Sequence, residues 1–177
     1  MTAHGVVSAA EVRSEKMKAL IQSGVVPLTK RSSPGYLNAL DGRLRAAIAG
    51  NTAEITQVQG ALVVVLPARA LFQPDIATLT LAGEKFLDAL ADVLRGEQAL
   101  LVEAACHTDR LGLAADNAAF SQQRADLVRD TLVARGMDAQ HLIAVGSGDR
   151  YPVADNTTAD GRRRNRRVEL SLLPILR

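Results

Sequence analysis

The sequence is poor in cysteine and in aromatic residues. Its 177 residues include one Cys and no Trp, and aromatic residues make up 3%. The lone Cys106 excludes an intramolecular disulfide framework and a cysteine-based zinc cluster. So few aromatic side chains argue against stacking platforms for single-stranded nucleic acid and against the Trp and Tyr belts of membrane proteins. Stability must therefore come from aliphatic packing.

Long apolar runs are missing as well. The longest mainly apolar run without a charge, residues 61–68, is less than half of the roughly 20 residues that a membrane-spanning helix needs. The first ten residues hold no apolar stretch behind a basic start, so we expect no secretory signal there. With 47% hydrophobic and 23% charged residues, the chain is expected to fold as one domain with an extension.

Charge is distributed unevenly along the chain. Residues 1–60 carry 7 Lys and Arg against 4 Asp and Glu, whereas residues 61–177 carry 14 against 15. The pI of about 9.0 therefore does not describe a uniformly basic surface. The one strong block of charge consists of Arg162, Arg163, Arg164, Arg166 and Arg167.

The first 60 residues predict two helices with a boundary between them. Ser8 and Glu11 have the spacing of a capping box, which predicts a helix from about Ala9 to Gln22. Residues 30–35, with their Pro and Gly, are the predicted linker or turn. One face of a second helix follows at Leu37, Leu40, Leu44 and Ile48. We therefore divide the chain into an N-terminal helix and linker (1–35), a helix plus strand extension (36–60) and a main domain (61–177).

The pattern after residue 52 changes to that of an α/β domain. Residues 53–58 and 61–66 predict two tightly joined strands, the second apolar on both faces and hence central. Helices are predicted at about 79–94 and 117–135, and further strands at 99–106, 142–145 and 168–173. From residue 61 onward this order predicts an α/β fold in which helices pack on the sheet and the crossovers favour right-handed parallel βαβ units.

A polar loop follows the predicted strand at 99–106. In open α/β sheets, ligands bind outside the carboxyl ends of strands, where loops lead into helix N-termini. Gly112 permits a tight bend in this loop. The carboxylate of Asp109 and the guanidinium of Arg124, two turns into the next helix, would present opposite charges to a zwitterion that has an ammonium and a carboxylate. We therefore expect a pocket here.

Several short blocks in this part of the chain follow the order of a known family. They are Cys106–Gly112, Asn117, Ser121–Ala125, Gly146–Gly148, Pro152, Asn156–Thr157, Gly161–Arg162 and Asn165–Glu169. Together with Phe72, the set resembles the peptidoglycan-associating domain of the OmpA/Pal/MotB family over about residues 61–173. The resemblance implies an OmpA-C-like mixed sheet packed by helices, in the order βαβαββ.

The resemblance also implies a function and a site. Domains of this family bind bacterial peptidoglycan non-covalently, and they tether an outer-membrane or envelope protein to the cell wall in the periplasm. Their Asp and Arg that match Asp109 and Arg124 hold the diaminopimelate residue of the stem peptide. The same loop and helix add Thr108, Leu111, Gly112 and Asn117. No membrane anchor of the usual kinds is recognised, so we expect the anchor to lie outside this chain.

Other readings of the function stay open. A flagellar-stator-like or type VI secretion envelope subunit would use the same pocket and would also form a dimer. The arginine block fits a nucleic-acid or anionic-lipid patch, or a solvated loop without a role. By resemblance we favour a third reading, in which one or two of these arginines, such as Arg166 or Arg167, pair inside the domain. The charge of residues 61–177 and the shortage of aromatics disfavour nucleic acid.

Simpler explanations compete at single residues. Taken alone, Asp109 and Arg124 would form an ordinary ion pair or cap in about half of such cases. His107 is expected to be a hydrogen-bonded residue at a strand end, because His4 and His141 lie in unrelated segments and no metal-ligand spacing results.

Nothing in the sequence indicates catalysis. Cys106 fits a small buried hydrophobic residue, and nothing pairs it with a base. Ser147 lies between two glycines, but the Gly-x-Ser-x-Gly spacing of a nucleophile elbow is absent. We therefore expect a binding module with no enzymatic activity, no catalytic residue, no cofactor and no metal.

Overall fold

The structure is a computed structural model, and it describes residues 8–177. The helices are α1 (Ala9–Gln22), α2 (Ser33–Ala47), α3 (Ala68–Leu71), α4 (Leu81–Leu94), α5 (Ala114–Ala134) and α6 (Ala159–Asn165). The strands are β1 (Glu54–Val58), β2 (Ala61–Pro67), β3 (Leu100–His107), β4 (Leu142–Gly148) and β5 (Arg167–Pro174). His4 and most of the segment in which we expect no secretory signal lie outside the described residues.

A five-stranded mixed sheet forms the centre of the fold, with the strand order β1-β2-β5-β3-β4. β3 and β4 are parallel, and the other neighbouring pairs are antiparallel. The predicted α/β class with a mixed sheet is confirmed, as is the tight hairpin of β1 and β2. Because β5 lies between β2 and β3, only the β3-α5-β4 crossover joins neighbouring parallel strands. The other predicted βαβ unit is split by β5.

One face of the sheet carries the main core. The predicted apolar face of the second helix is confirmed, because all four of its residues are buried in this core. Fully burying one aliphatic side chain contributes about 1.5–3 kcal/mol, so a cluster of this size is the main source of stability. Members from helices and strands include Leu40, Leu87, Leu90, Val128, Val64, Val102 and Leu170.

α1 packs on the opposite face of the sheet. Side chains alternate along β3, so Leu101 and Glu103 point away from the main core. Leu20 of α1 packs in a second cluster with Leu101, Ile143 and Ile175. Glu103 is 4% exposed and accepts the Arg13 Nε–H over 2.5 Å. The predicted capping box of Ser8 and Glu11 starts this helix, which is docked rather than free.

Several boundaries differ from the prediction: β4, for example, continues to Gly148, and the short helices α3 and α6 are not predicted. α2 begins at Ser33, so Pro34 and Gly35, assigned to the linker, lie in its first turn. Proline is well tolerated there, because its missing N–H would have no intrahelical acceptor. α5 begins at Ala114, three residues before the predicted start. The division of the chain at residues 35 and 60 stays a prediction. None of the helices within residues 8–177 has both the length and the apolar character needed to cross a membrane.

Candidate functional site

The loop after β3 lies at the edge of the sheet where the parallel strands β3 and β4 both end. Thr108 donates its backbone N–H to the Gly148 carbonyl over 2.9 Å, which extends the strand pairing into the loop. Gly112 then turns the chain with a φ of +87°, a left-handed conformation that residues with side chains disfavour. The loop therefore stands at the carboxyl edge, in front of α5, as predicted.

α5 lies close against β4 because Gly146 has no side chain. A Cβ at this position would lie 2.4 Å from the backbone nitrogen of Gln122. The Gln122 side chain accepts the Gly146 N–H over 2.7 Å, and Ser121 Oγ accepts the Gly148 N–H over 2.9 Å. This close packing determines how α5 places Arg124 relative to the edge of the sheet.

Asp109 is a buried carboxylate with two protein donors. The side chain is 8% exposed. Its Oδ1 accepts the Leu111 backbone N–H over 2.9 Å, and its Oδ2 accepts a hydrogen bond from Arg166 Nη1. The Asn117 side chain donates to the Asp109 carbonyl over 3.3 Å. The loop thus holds the carboxylate in one orientation.

Arg124 is a buried cation held by backbone carbonyls and aromatic rings. It is 9% exposed, and its Nη2 donates to the carbonyls of Gln73 and Ile76 over 3.0 Å each. Its Cζ lies 4.7 Å from the ring centroid of Phe72 and 4.2 Å from that of Phe120. Burial lowers the pKa of Arg124, but guanidinium remains protonated at neutral pH. Its Nη1 has no hydrogen-bond acceptor within residues 8–177.

Asp109 and Arg124 line one pocket, as the sequence predicts. The pocket has a volume of about 770 Å³. Its wall includes three more of the predicted site residues, Thr108, Leu111 and Asn117. Gly112 is outside the wall and shapes the turn next to it. The two opposite charges, the carboxylate and the guanidinium, therefore face a common cavity.

The sequence did not assign three arginines to this pocket. Arg69, Arg163 and Arg166 also line it. They come from α3 and from the segment around α6, which meet where the Ala68 N–H donates to the Arg166 carbonyl over 2.9 Å. Apart from the arginine block itself, no local pattern could have indicated this contact, because positions 68 and 166 are far apart in the chain.

The arginine block is partly internal, as predicted. Arg167 is 6% exposed and donates from Nε to Glu169 Oε1 over 2.7 Å. Arg166 pairs with the pocket carboxylate. Arg162 donates to the main-chain carbonyls of residues 156 and 157 over 3.0 Å each. Arg164 is exposed, and no ion pair to it occurs in the described part of the chain. Ion pairs and hydrogen bonds to main-chain carbonyls inside the domain therefore account for most arginines of the block.

His107 is buried at the end of β3, but the predicted hydrogen bond is wrong. Neither ring nitrogen has a partner within residues 8–177, and the nearest carboxylate oxygen, Glu169 Oε1, is 3.8 Å from Nε2. Arg167 binds that oxygen instead. Burial, reinforced by the charge of Arg167, lowers the pKa of His107 to about 4. The imidazole is therefore neutral at pH 7.

Cys106 and Ser147 have the surroundings of structural residues. Cys106 is 2% exposed in the main core, and burial raises the pKa of its thiol to about 12. It is a buried hydrophobic residue, as expected. Ser147 is 3% exposed at the end of β4. Within residues 8–177, no three His, Cys, Asp or Glu side chains are grouped as metal ligands.

Comparison with known proteins identifies similar chains. The family model described as "OmpA family" matches residues 71–166, which is more than half of the chain. "Probable lipoprotein YiaD" of Escherichia coli is 34% identical over 79% of this chain and 64% of its own length. "Peptidoglycan-binding protein ArfA" of Mycobacterium tuberculosis is 38% identical over 64% of this chain and 35% of its own length. The chain thus spans less than two thirds of either relative.

A solved structure has a similar fold. The cell wall anchor of the type VI secretion system from Pseudomonas aeruginosa superposes with a TM-score of 0.66 and 31% sequence identity. The match covers 76% of this chain and 96% of that one. The similarity includes the mixed sheet and the helices that pack on it.

Proposed function

Because the chain belongs to the OmpA family, we propose that its pocket binds bacterial peptidoglycan non-covalently, through the diaminopimelate residue of the stem peptide. In this proposal the domain holds an envelope protein at the cell wall in the periplasm. One relative is named as a peptidoglycan-binding protein and one structural neighbour as a cell wall anchor, which supports the assignment.

One observation carries the proposal: Asp109 and Arg124 line the same pocket. The far end of diaminopimelate is a free amino-acid centre, with an ammonium and a carboxylate on one carbon. A carboxylate and a guanidinium that face one cavity complement this pair of charges. A charge buried in the pocket without its partner is costly, so the same pair also disfavours ligands that lack one of the two groups.

In the proposed complex each side chain has a distinct role. The carboxylate of the ligand accepts from Arg124 Nη1, the donor that has no acceptor among the described residues. The ammonium donates to Asp109, where it competes with Arg166 for Oδ2. Arg166 is 46% exposed and has room to shift. Thr108, Asn117 and Leu111 form the adjacent wall, and Gly112 maintains the loop that holds them.

We propose that the domain binds its ligand and does not transform it. The proposal is supported by the burial of the two candidate nucleophiles, Cys106 and Ser147, neither of which is hydrogen-bonded through its side chain to a base within residues 8–177. The proposed ligand contacts are charge pairs and hydrogen bonds, and they require no cofactor.

The test is a sedimentation assay with purified cell-wall sacculi. We expect the protein to cosediment with diaminopimelate-type sacculi and to lose this binding on Asp109→Asn or Arg124→Ala substitution. Lysine-type sacculi lack the extra carboxylate and should bind weakly. Arg164→Ala and Asp92→Asn, at exposed positions outside the pocket, are matched controls that should bind normally. Full retention of the two pocket variants, with circular dichroism showing an intact fold, would reject the site.

A second candidate is an envelope subunit of a type VI secretion system or a flagellar-stator-like complex. The fold similarity to the type VI cell wall anchor favours this reading. Such a subunit would use the same pocket but would also form a dimer. Light scattering of the concentrated protein tests it, since a monomer at high concentration would count against it.

We also propose that residues 61–177 form the binding domain, with 1–35 and 36–60 as an N-terminal extension. The edge position of β1 and the separate cluster under α1 support this division.

A further inference from the structure

Three further arginines line the pocket in addition to Arg124. We call Arg69, Arg163 and Arg166 the cationic rim. Arg69 lies in α3 and Arg163 in the last turn of α6. The hydrogen bond from the Ala68 N–H to the Arg166 carbonyl joins the two segments directly, so the three side chains belong to a single junction of the fold.

The rim has more positive charge than its protein partners neutralise. Arg69 is exposed and has no ion pair or hydrogen bond within residues 8–177. Arg163 pairs only with Asp160, whose side chain is 82% exposed. Exposed pairs of this kind contribute at most about 1 kcal/mol, so Arg163 can readily exchange Asp160 for another anion. Arg166 shares the carboxylate of Asp109.

The acidic side chains of the pocket lie on other segments. Asp75 belongs to the loop after α3, and Asp116 to the first turn of α5. Neither forms an ion pair with an arginine of the rim, although all of these residues line the same cavity. Within residues 8–177, no carboxylate forms an ion pair with Arg69, so this arginine stays able to attract an anion.

The pocket is larger than the proposed diaminopimelate site requires. A volume of about 770 Å³ falls in the range of pockets that enclose drug-sized ligands, whereas an amino-acid head group fills only a fraction of it. The rim lines the same cavity, so a ligand that fills more of the space meets these arginines as well. A carboxylate suits a guanidinium there, because two parallel N–H donors match its two oxygens.

We infer that the cationic rim binds a second carboxylate of the stem peptide, beyond the one at Arg124. This inference rests on the proposed function and adds a specificity element to it. The second carboxylate belongs to a neighbouring residue of the peptide, so the domain distinguishes stem peptides with a free acid at that residue from those in which the acid is amidated.

The experiment uses two synthetic peptides and calorimetric titration of the full chain. Both peptides are L-Ala-γ-D-Glu-diaminopimelate, one with a free glutamyl α-carboxylate and one with that group amidated. The wild-type protein should bind the free acid about tenfold more tightly than the amide, as expected for one lost charge-assisted contact. The Arg69→Gln/Arg163→Gln variant should lose this preference and bind both peptides as the wild type binds the amide.

Controls separate this inference from the proposed function. Arg164→Gln removes the same charge from an exposed position of α6 outside the pocket wall, and it should keep the tenfold preference. Equal binding of the two peptides by the wild type would overturn the rim while leaving the diaminopimelate site intact. A double variant that keeps the preference would overturn the rim in the same way. Failure to bind either peptide would overturn the proposed function together with the rim.

Discussion

Arg166 donates a hydrogen bond to Asp109 from the residue between α6 and β5, across 57 positions of the chain. The pair joins the arginine block to the loop after β3. It also means that the carboxylate proposed to bind the ligand is already paired with a protein cation. Arg166 therefore supports the orientation of Asp109 and competes with an incoming ammonium for the same oxygen.

The first prediction concerns this pair. Arg166→Gln should lower the free energy of unfolding by about 1–2 kcal/mol, because it leaves a buried carboxylate with one fewer donor. Urea denaturation measures the change. Arg164→Gln is the control and should alter stability by less than about 0.5 kcal/mol. In an Asp109→Asn background the effect of Arg166→Gln should shrink, and equal effects in both backgrounds would refute the coupling.

The second prediction concerns how α1 is held on the sheet. Arg13→Ala should destabilise the protein by about 2 kcal/mol, since Glu103 is left buried without its cation. Adding Glu103→Leu should recover most of this loss, because an apolar side chain suits the neighbouring cluster. Hydrogen exchange should show α1 opening in the single variant.

The matched control on the same helix is Lys18→Ala. Lys18 pairs with Glu15, and both side chains are well exposed. Its loss should change the free energy of unfolding by less than about 0.5 kcal/mol. If Arg13→Ala were as mild as Lys18→Ala, the ion pair would not be what holds the helix.

The third prediction is a loss of stability in acid that depends on His107. Its pKa is about 4 in the folded protein, because of burial, against an ordinary value of 6.5. As pH falls below 6.5, the unfolded chain binds a proton that the folded protein excludes until about pH 4. The contribution to stability is therefore complete above pH 6.5 and is lost between 6.5 and 4.

Urea denaturation at pH 7 and pH 4.5 measures this loss. Between these conditions the wild type should lose about 2 kcal/mol more than His107→Gln, which lacks the titrating group. Carboxylates titrate alike in both proteins and cancel in the difference. Identical pH dependence of the two proteins would show that His107 does not remain neutral through this range.

The fourth prediction concerns the contact between α5 and β4. Gly146→Ala should destabilise the protein by about 3 kcal/mol and weaken binding to sacculi, because the new Cβ would force the helix that carries Arg124 away from the strand. Gly42→Ala in α2 is the opposite control. Nothing lies within 4 Å of a Cβ there, so the change should stabilise the helix by about 0.5–1 kcal/mol. Thermal unfolding compares the two, and a neutral Gly146→Ala would contradict the packing argument.

The accuracy of the sequence-based predictions depends on the range of the interactions that decide each feature. α1 starts at the predicted residue because Ser8 and Glu11 cap it through contacts three residues apart. The apolar face of α2 follows from a local period in the same way. The sequence pattern does not predict the early start of α2, because proline interrupts most of a helix, whereas the first turn accepts it.

In the candidate site, too, the features set by neighbouring residues could be predicted and those set by distant residues could not. The position of Asp109 after a buried strand and of Arg124 on the next helix could be inferred, since the loop and helix are adjacent in sequence. The partners of these side chains could not. Arg166 and the carbonyl of Gln73 lie about 50 or more positions away from the groups they contact, and no local pattern specifies such pairs. The absence of a hydrogen bond at His107 also depends on residues far along the chain. The nearest carboxylate oxygen belongs to Glu169, and Arg167 binds it instead.

The sequence by itself determined the four longer helices, the strands, the α/β class and the two opposite charges at the carboxyl edge of β3, because periodicity, caps and turn residues act over a few positions. It did not indicate the short helices α3 and α6. Only the tertiary structure decided that β5 lies between β2 and β3, that α1 covers the far face, and that Arg69, Arg163 and Arg166 meet at the pocket. These features depend on which distant surfaces bury each other. The packing of the whole chain decides this, because surfaces that are complementary in shape and charge are stabilised by burial whatever their separation in sequence.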